Sequence, residues 1–413
     1  MAKKLATEAY KGTRDFYPKD MAIQRYIFDT WAKTAESFGF ERYDASILEP
    51  SDLYKSKGAE NEEMVNEQTY TFIDRGDREV TLRPEMTPTV ARMIAARRRD
   101  LNFPVRWYSI PNLFRYERPQ RGRLREHWQL NCDMFGIDDI AADVEIISLA
   151  YNVLKEFGAE DEDFEIRINS RAWLTEKLKS YDLDENQMKH MIQLIDKKDK
   201  IKDFEKESEI ITGQKIDFEI TEAPKERSIK SIIDALNLIG ITNIKFSPTI
   251  VRGFNYYTGT VFEIFDTNPK NNRSLIGGGR YDNLTELFGG DAVTGIGFGM
   301  GDVTMRDFLE THKLLPKDLH VTAPRLSILP MGKDLNIACE KIAHTFRTTG
   351  VTVSVDLSDK KIGKKISSAD DAGVQYVLVV GEDELSSQNF TLKELATKEE
   401  TAGQLDDLIK HLA

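Results

Sequence analysis

Cysteine is almost absent from this sequence. Its 413 residues include only two, Cys132 and Cys339, which lie far apart and outside any metal-ligand spacing. The sequence therefore indicates neither a disulfide framework nor a zinc site. Such low cysteine usage is consistent with the reducing cytoplasm, where we expect the protein to reside.

Long apolar runs are also missing. Nowhere do about 18 uncharged apolar residues occur together, which is the length that a membrane-spanning helix needs. The lysines between Met1 and Leu5 are not followed by the apolar stretch of a secretory signal. We therefore expect neither a membrane span nor secretion.

An excess of basic residues is the third absence. Lys and Arg number 57 against 69 Asp and Glu, which gives a formal net charge of -12. Proteins that bind nucleic acid without regard to sequence usually carry a net basic surface, so this class is disfavoured. Any contact with nucleic acid must then be local. With 40% hydrophobic and 31% charged residues, the composition is typical of a soluble globular protein, and the length allows two or three domains.

The N-terminal part of the chain has the pattern of an α+β fold. Apolar residues at helical spacing predict a long amphipathic helix over Ala22 to Phe38. Short strands are predicted over Gln68 to Ile73, Glu79 to Leu82 and Val105 to Phe114, with a helix at Pro88 to Arg98 between two of them. Strands that return in quick succession, with helices grouped outside, favour an antiparallel sheet flanked by helices.

Two later segments interrupt this pattern. Residues from about 172 to 226 are rich in Lys, Glu and Asp, carry apolar residues at helical spacing and show no strand, so we predict an inserted helical module. Between Gly295 and Gly301, glycine occupies every second position. On a strand this spacing removes the side chains from one face, so that a ligand or another backbone can approach closely.

After Pro316 strands and helices alternate. This alternation predicts βαβ units with a mainly parallel sheet. We therefore predict a first domain over residues 1–322 and a separate α/β domain over residues 323–413. The predicted elements of the second domain are strands at Leu326 to Met331, Val351 to Val355 and Tyr376 to Gly381, and helices at Leu335 to Thr348 and Ile362 to Ala372.

The segment from Phe114 to Asp133 is unusually rich in arginine. It contains five arginines but only three carboxylates, so some guanidinium groups are expected to bind phosphate. Strand alternation would put six polar side chains on one face. That face would either bind a ligand or simply be the solvated side of an antiparallel sheet. The loop from Arg118 to Gly122 would otherwise be an exposed hairpin tip. The six are Arg123, Arg125, His127, Gln129, Asn131 and Asp133.

Two further segments allow a functional and a structural interpretation. In the segment from Arg252 to Gly259, the pair Tyr256 and Tyr257 would bind a ligand or simply pack in the core. Glu85 is suited to an ammonium group or a ring N–H. The structural alternative there is a helix start with Thr87 as its N-cap and Pro88 as its first residue.

Five motifs in order along the chain together resemble those of the histidyl-tRNA synthetases, a family of class IIa aminoacyl-tRNA synthetases. The resemblance extends over nearly the whole chain. The Phe-Arg-x-Glu element is shared across class II, whereas Arg-Gly followed by Tyr-Tyr is specific to the histidine enzymes and their paralogues. The motifs are Gly12-Thr13-Arg14-Asp15, Arg83-Pro84-Glu85, Phe114-Arg115-Tyr116-Glu117-Arg118-Pro119-Gln120, Arg252-Gly253 with Tyr256-Tyr257-Thr258-Gly259, and Gly278-Gly279-Arg280-Tyr281-Asp282.

The resemblance implies a reaction in two steps. ATP activates L-histidine to histidyl-adenylate, and the histidyl group then passes to the 3′ end of tRNA(His). Arg115 and Arg252 match the family's catalytic arginines, which neutralise charge at the α-phosphate. Mg²⁺ is expected on the ATP phosphates, with no protein ligand assigned to it. The first domain would be the class II catalytic domain, the second would bind the anticodon, and the protein would be a homodimer.

The same resemblance implies a role for each of several residues. Histidine would be bound by Glu85, Thr87, Gln129, Asp133, Tyr256 and Tyr257. ATP would be bound by Arg115, Arg123, His127, Arg252 and Thr304. The acceptor end of the tRNA would be contacted by Arg118 and Gln120.

Three positions depart from the family pattern, two of them near the nucleotide. Thr304 stands where an arginine commonly lies against adenine and the phosphates, and Arg306 is turned away from that position by about 200° along the helix. His127 stands where an aromatic residue, often Phe, stacks on adenine. Asn255 replaces a common Asp and keeps an acceptor without the charge.

Two other groups of proteins share these motifs without being synthetases. The regulatory subunit of ATP phosphoribosyltransferase is non-catalytic and characteristically lacks the anticodon domain, whereas residues 323–413 resemble that domain. The synthetase-like sensor domain of a stress kinase is fused to a kinase, and the sequence shows no kinase motif. An active synthetase is the favoured function, and a regulatory or sensor paralogue is the alternative.

Overall fold

The structure, a computed structural model, describes residues 5–55, 68–196, 198, 201, 203–214, 229–251, 256–271, 273–317, 319 and 323–412. These residues divide into two compact units. The first comprises the described residues up to Asp15 and from Gln24 to Leu315, and the second comprises Phe16–Ile23 and those from Pro316 onward. The predicted boundary between residues 322 and 323 adjoins residues outside these ranges and stays a prediction.

Helices and strands of the described residues form two series along the chain, which meet near Pro316. Among the helices in the described ranges, none combines the length and the apolar character that crossing a bilayer requires. The series up to Leu315 consists of α1 (Pro18–Ser37), β1 (Glu41–Arg42), β2 (Leu48–Pro50), α2 (Asp52–Lys55), β3 (Tyr70–Ile73), β4 (Glu79–Leu82), α3 (Thr87–Arg97), β5 (Val105–Ser109), β6 (Asn112–Phe114), β7 (Glu126–Phe135), α4 (Ile140–Glu156), β8 (Phe164–Ser170), α5 (Arg171–Lys179), α6 (Glu185–Asp196), α7 (Phe204–Thr212), α8 (Ile229–Leu238), β9 (Ile244–Phe246), β10 (Thr260–Asp266), β11 (Ser274–Arg280), β12 (Gly295–Gly301) and α9 (Asp302–Thr311). The series after Pro316 consists of β13 (Leu326–Pro330), α10 (Asn336–Thr348), β14 (Val353–Val355), α11 (Ile362–Asp371), β15 (Tyr376–Val380), α12 (Glu382–Ser387), β16 (Phe390–Glu394), β17 (Glu400–Gly403) and α13 (Leu405–Leu412).

A nine-stranded sheet is the framework of the first unit within the described residues. Its strand order is β1-β5-β7-β12-β11-β10-β8-β9, and β6 also pairs with β7. Every pairing from β5 across to β8 is antiparallel, whereas β1 pairs with β5 and β8 with β9 in parallel. The predicted antiparallel sheet with flanking helices is therefore confirmed for the centre of a mixed sheet. A separate three-stranded sheet has the order β2-β4-β3.

The predicted strand from Val105 to Phe114 is two strands in the structure. It breaks between β5 and β6 at Pro111, which has no N–H to donate to a neighbouring strand. The carbonyl of Pro111 still accepts a hydrogen bond of 3.1 Å from the Gln129 N–H. Both pieces pair with β7, so the break does not take the segment out of the sheet.

The two predicted N-terminal helices begin earlier than expected. α1 begins at Pro18, because proline is tolerated in the first turn of a helix. α3 begins at Thr87, so the expectation that Thr87 is its N-cap is wrong. Met86 is the N-cap, with helical backbone angles, and no side chain caps the helix there. The Thr87 hydroxyl therefore does not serve as a cap.

The predicted helical module corresponds to α5, α6 and α7. Leu174 and Leu178 of α5 and Met191 and Ile195 of α6 are buried in a common apolar core. Val251, the last residue of the described range 229–251, belongs to the same core. The last part of the predicted module, residues 215–226, lies outside the described residues.

The second unit contains a five-stranded sheet of order β14-β13-β15-β16-β17 within the described residues. The three strands that the sequence predicts are parallel, as expected for βαβ units. β16 and β17 were not predicted, and they add an antiparallel hairpin, so the sheet is mixed. The alternation of buried Phe390 and Leu392 with exposed neighbours is the sequence signal for β16.

Candidate active site

Alternating glycines on β12 make room for the polar side chains of β7. In the antiparallel register, Gly297 lies directly opposite Asp133. A Cβ atom on Gly297 would collide with the Asp133 carboxylate, and one on Gly299 would collide with the side-chain amide of Gln129. The close approach predicted from the glycine spacing is therefore present. The sheet presents a polar face because no side chain from β12 covers it.

An open pocket lies on this face. A concave site with a few convergent polar groups is typical of small-molecule binding. Arg115 lines it, together with most of the residues predicted to bind histidine, namely Glu85, Thr87, Gln129, Tyr256 and Tyr257. Its other lining residues are Asn131, Gly277, Tyr281, Gly297, Phe298 and Gly299.

Glu85 and Tyr256 are joined at the wall of the pocket. The Tyr256 hydroxyl donates a hydrogen bond of 3.0 Å to Glu85 Oε2, and the Glu85 side chain is buried. The rings of Tyr256 and Tyr257 pack with their centroids 4.8 Å apart, inside a buried apolar cluster. The tyrosine rings thus pack in the core, as the structural interpretation predicts, while both residues also line the pocket.

Arg83 anchors the backbone that carries Glu85. The Arg83 guanidinium is buried and donates to the carbonyl oxygens of Asn112 at 3.1 Å and Ala45 at 2.8 Å. These bonds anchor the short segment between β4 and α3. Within the motif Arg83-Pro84-Glu85, the arginine is therefore a structural anchor and the glutamate is the residue that reaches the pocket.

Asp133 is a buried carboxyl group behind the pocket. The Tyr281 hydroxyl donates a hydrogen bond to its Oδ1 atom. Its Oδ2 atom is buried and has no hydrogen-bond partner among the described residues. Burial raises the pKa of Asp133 to about 7, against the opposing effect of the Tyr281 hydrogen bond. A buried acceptor without a donor costs free energy, so this atom is suited to a ligand N–H.

Arg115 is aimed into the pocket by one backbone contact. Its Nε atom donates to the Pro84 carbonyl oxygen at 2.9 Å, which fixes the plane of the guanidinium. The two terminal nitrogens remain for a ligand, since no hydrogen bond from them to another described residue is present. This geometry suits bidentate contact with a phosphate.

The charges of three arginines act on His127, which lies on β7. Burial is the main cause that lowers the pKa of His127 well below its ordinary value, and the charges of Arg115, Arg14 and Arg123 lower it further. The imidazole is therefore neutral at physiological pH. A neutral ring can stack on a nucleotide base without adding a further positive charge.

The part of the arginine-rich segment from Arg115 to Arg125, here called the arginine-rich loop, is a closed loop rather than part of a long strand. β7 begins at Glu126, so the predicted strand face that included Arg123 and Arg125 is wrong. The backbones of Gln120 and Arg123 exchange hydrogen bonds of 3.0 and 2.9 Å, which closes the loop. Arg125 instead stacks on the Tyr116 ring at 4.0 Å, a contact that a strand pattern cannot indicate.

The loop exposes three of its predicted functional residues, and one of them, Arg123, is also ion-paired. Arg118 and Gln120 are exposed. The Arg123 Nε atom forms an ion pair of 3.1 Å with Glu117 Oε2, and the Glu117 side chain is buried. The loop therefore presents all three residues to solvent, and Arg123 in addition contacts the buried carboxylate of Glu117.

Thr304 lies in the first turn of α9, where its Oγ1 atom donates to the Gly301 carbonyl oxygen at 3.1 Å. Arg306 forms an ion pair of 3.0 Å with Glu310 one turn further along the helix. The expectation that Arg306 does not replace the missing arginine stays a prediction. The predicted catalytic Arg252 and the neighbouring Asn255 lie outside the described residues, and the assignment of Arg252 stays a prediction.

The structure adds three residues to those predicted. Tyr281 and Asn131 line the pocket, and both stand in patterns visible in the sequence, the Gly-Gly-Arg-Tyr-Asp motif and the alternation of β7. Asp302 is buried and accepts hydrogen bonds from Arg14 at 2.6 Å and from the Trp128 N–H at 2.9 Å. Asp302 directly follows the alternating glycines of β12, and Arg14 belongs to the N-terminal Gly-Thr-Arg-Asp motif. Their contact is visible only in the tertiary structure.

Comparison with known proteins agrees with this arrangement. A family model described as histidyl-tRNA synthetase matches residues 12–207 and 217–302, and one described as anticodon binding domain matches residues 325–413. A histidine–tRNA ligase of Leptospira biflexa is 44% identical over 96% of this chain and 95% of its own. One of Thermoplasma volcanium is 37% identical over 98% of each chain. The crystal structure of apo S. aureus histidyl-tRNA synthetase is 26% identical, with a TM-score of 0.75 over 98% of this chain and 99% of that chain. This chain therefore belongs to the histidyl-tRNA synthetase family.

Proposed function

We propose that this protein activates L-histidine with ATP to histidyl-adenylate and transfers the histidyl group to the 3′ end of tRNA(His). The observation that carries the proposal is the polar pocket on the glycine face of the sheet. Glu85 and Gln129 converge there with the guanidinium of Arg115, and the Asp133 carboxyl lies behind them. Such a pocket offers a partner to each end of a small zwitterion that carries an imidazole ring.

We assign the imidazole of histidine to the side of the pocket that holds Asp133. Oδ2 of Asp133 would accept a hydrogen bond from a ring N–H, which offsets the cost of about 1–3 kcal/mol for an unpaired buried acceptor. Tyr256 and Tyr257 would enclose the ring. A side chain without a matching N–H would leave this acceptor unpaired, which provides specificity without a separate editing site.

We assign the ammonium group of histidine to Glu85, Thr87 and Gln129, which line the pocket. The Glu85 carboxylate would supply the negative charge, and the Thr87 hydroxyl and the Gln129 amide oxygen would accept the remaining N–H bonds. The carboxylate of histidine is then left to face Arg115. This orientation presents the reacting oxygen to the nucleotide.

The chemistry requires no nucleophile from the protein. An oxygen of the histidine carboxylate attacks the α-phosphorus of ATP, the bond to the bridging oxygen breaks, and pyrophosphate leaves. Arg115 and Arg252 would neutralise the charge that develops on the α-phosphate. In the second step, a hydroxyl of the terminal ribose attacks the histidyl carbonyl carbon and AMP leaves. Catalysis then depends on orientation and electrostatics.

We assign the nucleotide to the part of β7 that carries His127, two residues before the pocket residue Gln129. Its neutral ring would stack on adenine, with Thr304 nearby, and Arg123 would bind phosphate oxygens. Mg²⁺ is expected to arrive with ATP, since it retains waters and prefers phosphate and carboxylate oxygens. Glu117, the buried carboxylate paired with Arg123, fits such an ion as a single protein ligand, directly or through water.

The remaining assignments concern the larger partners. Arg118 and Gln120, which are exposed on the loop, would contact the acceptor end of the tRNA. Residues 323–413 would read the anticodon, where unpaired bases offer stacking faces and hydrogen-bonding edges. We propose a homodimer located in the cytoplasm. A regulatory paralogue is not favoured, because the relatives named histidine–tRNA ligase match nearly the whole chain, including its C-terminal unit.

Histidine-dependent exchange of labelled pyrophosphate into ATP tests the proposal directly. The wild-type protein should catalyse exchange, and Arg115→Ala and Arg252→Ala should each reduce it by several orders of magnitude. Arg98→Ala is the matched control, because Arg98 pairs with the exposed Asp291 at 2.7 Å. Histidine binding without any exchange above the Arg252→Ala background would instead identify a regulatory paralogue.

A further inference from the structure

Arg273 lies against the tip of the arginine-rich loop, immediately before β11. Gly122, with a left-handed φ of +72°, brings the loop close to it. A Cβ atom on Gly122 would lie 3.3 Å from Arg273 Cγ and 3.3 Å from Thr304 Cγ2. The side chains of Arg273 and Thr304 therefore both lie next to Gly122. Of these two neighbours, Arg273 alone carries a charge.

The segment that carries Arg273 is fixed to the loop by hydrogen bonds. Nε and Nη2 of Arg121 donate to Asn271 Oδ1 at 3.1 and 2.9 Å. Asn271 in turn donates to the buried Asp266 carboxylate at 2.6 Å. These bonds hold the Asn271 side chain, two positions before Arg273. On the other side of Arg273, Ser274 pairs with Phe265 in the sheet.

The charges around Arg273 are unbalanced. Burial lowers the pKa of Arg273, and the neighbouring Arg123 lowers it further, whereas Glu117 raises it. Glu117 already forms its ion pair with Arg123. No carboxylate forms an ion pair with Arg273 within the ranges that the structure describes. Two guanidinium groups thus share one carboxylate, which is the charge pattern of an anion site before its ligand arrives.

We propose that Arg273, together with Arg123, binds the β- and γ-phosphates of ATP, an inference that rests on the function proposed above. A polyphosphate supplies the negative charges that this pair of guanidinium groups lacks. Glu117 limits the repulsion between them until the nucleotide binds. Arg273 thereby provides the positive charge that Thr304 does not, from the residue before β11 rather than from α9.

Equilibrium binding of ATP and of AMP to the full chain, without histidine or tRNA, tests this role. The Arg273→Ala variant should bind ATP about tenfold more weakly, as expected for the loss of a partly exposed charge-assisted contact. Its affinity for AMP should be unchanged, because AMP lacks the β- and γ-phosphates. Arg273→Gln should behave like Arg273→Ala, and Arg273→Lys should retain part of the ATP affinity. Arg98→Ala is the control and should change neither affinity.

Two results would overturn the proposal. One is an unchanged ATP affinity in both Arg273→Ala and Arg273→Gln, with unchanged thermal unfolding. The other is an equal loss of ATP and AMP affinity, which would place the effect on the adenosine part or on the fold. The two proposals can fail separately. If the wild-type protein shows no histidine-dependent exchange but the Arg273 variants still lose the preference for ATP over AMP, the synthetase function is refuted while the phosphate site is supported.

Discussion

Replacing Asp133 with asparagine should raise stability and lower histidine affinity at the same time. The folded protein holds this carboxyl at a pKa of about 7, against an ordinary value of 3.8. Native Asp133 therefore binds more protons than the unfolded chain between these two pH values, so its contribution to stability falls as the pH rises through that window. Above about pH 7 the full cost of the buried charge is present.

The magnitude follows from the same two values. At about 1.4 kcal/mol for each pH unit of difference, the buried carboxylate costs on the order of 4 kcal/mol above pH 7, as an upper figure. Asparagine has nearly the same shape, can still accept from Tyr281, and carries no charge. Asp133→Asn should therefore be more stable than wild type at pH 8. The difference should shrink as the pH is lowered towards 5.

The affinity of Asp133→Asn for histidine should fall, whereas its stability should rise. With the asparagine oxygen directed to Tyr281, its NH₂ group would face the N–H of the histidine ring, donor against donor. The expected loss is about 1.5–3 kcal/mol, or roughly ten- to a hundredfold in histidine affinity.

Urea denaturation at pH 8 and pH 5 measures the first effect, and isothermal titration with histidine at pH 8 measures the second. Asp291→Asn is the control, because that exposed aspartate pairs only with Arg98 among the described residues and should change both quantities little. A variant that is less stable than wild type at pH 8, or that binds histidine equally well, would refute the reasoning about Asp133.

Three further substitutions probe other parts of the site. Gly299→Ala should displace the Gln129 side chain and reduce histidine affinity while the protein still folds, as measured by titration with histidine. Arg280→Ala removes the 2.6 Å partner of the buried Asp143 and should destabilise the protein by about 3–5 kcal/mol in urea denaturation. Thr304→Arg should leave ATP affinity equal or improved, measured by ATP binding at equilibrium.

Each of these outcomes has a comparison that tests its cause. Gly290→Ala matches Gly299→Ala, because a Cβ atom at Gly290 would meet nothing within 4 Å among the described residues, and equal effects would argue against the collision with Gln129. A stable Arg280→Ala protein would mean that Asp143 finds another partner or takes up a proton. A sharp loss of ATP affinity in Thr304→Arg would show that the pocket is built around the smaller side chain.

The sequence was sufficient for the order and type of most elements. Helical spacing located α1, and the strand–helix alternation after Pro316 located the parallel strands of the second unit, because these signals depend on local periodicity. Boundaries were less accurate where one residue changes the backbone. Pro111 divides a predicted strand, and α3 begins at Thr87 because Met86 takes the capping position.

The candidate site was predictable in its residue types. The row Gln129, Asn131 and Asp133 and the glycines of β12 both follow period two, so each could be recognised as one face of a strand. Their pairing could not be recognised. The register that sets Gly297 opposite Asp133 joins segments far apart in the chain, and it depends on how the whole sheet assembles.

By itself, the sequence determined the family, the polar and glycine-rich faces and half of the residues that line the pocket, because motifs and periodicity are properties of the chain. Only the tertiary structure decided which charges are balanced. In the folded protein the arginine-rich loop is closed, and Arg123 forms an ion pair with Glu117. Arg273 lies beside the same loop and has no ion-paired carboxylate among the described residues. Charge balance depends on distances between side chains from separate strands, and those distances exist only after the chain has folded.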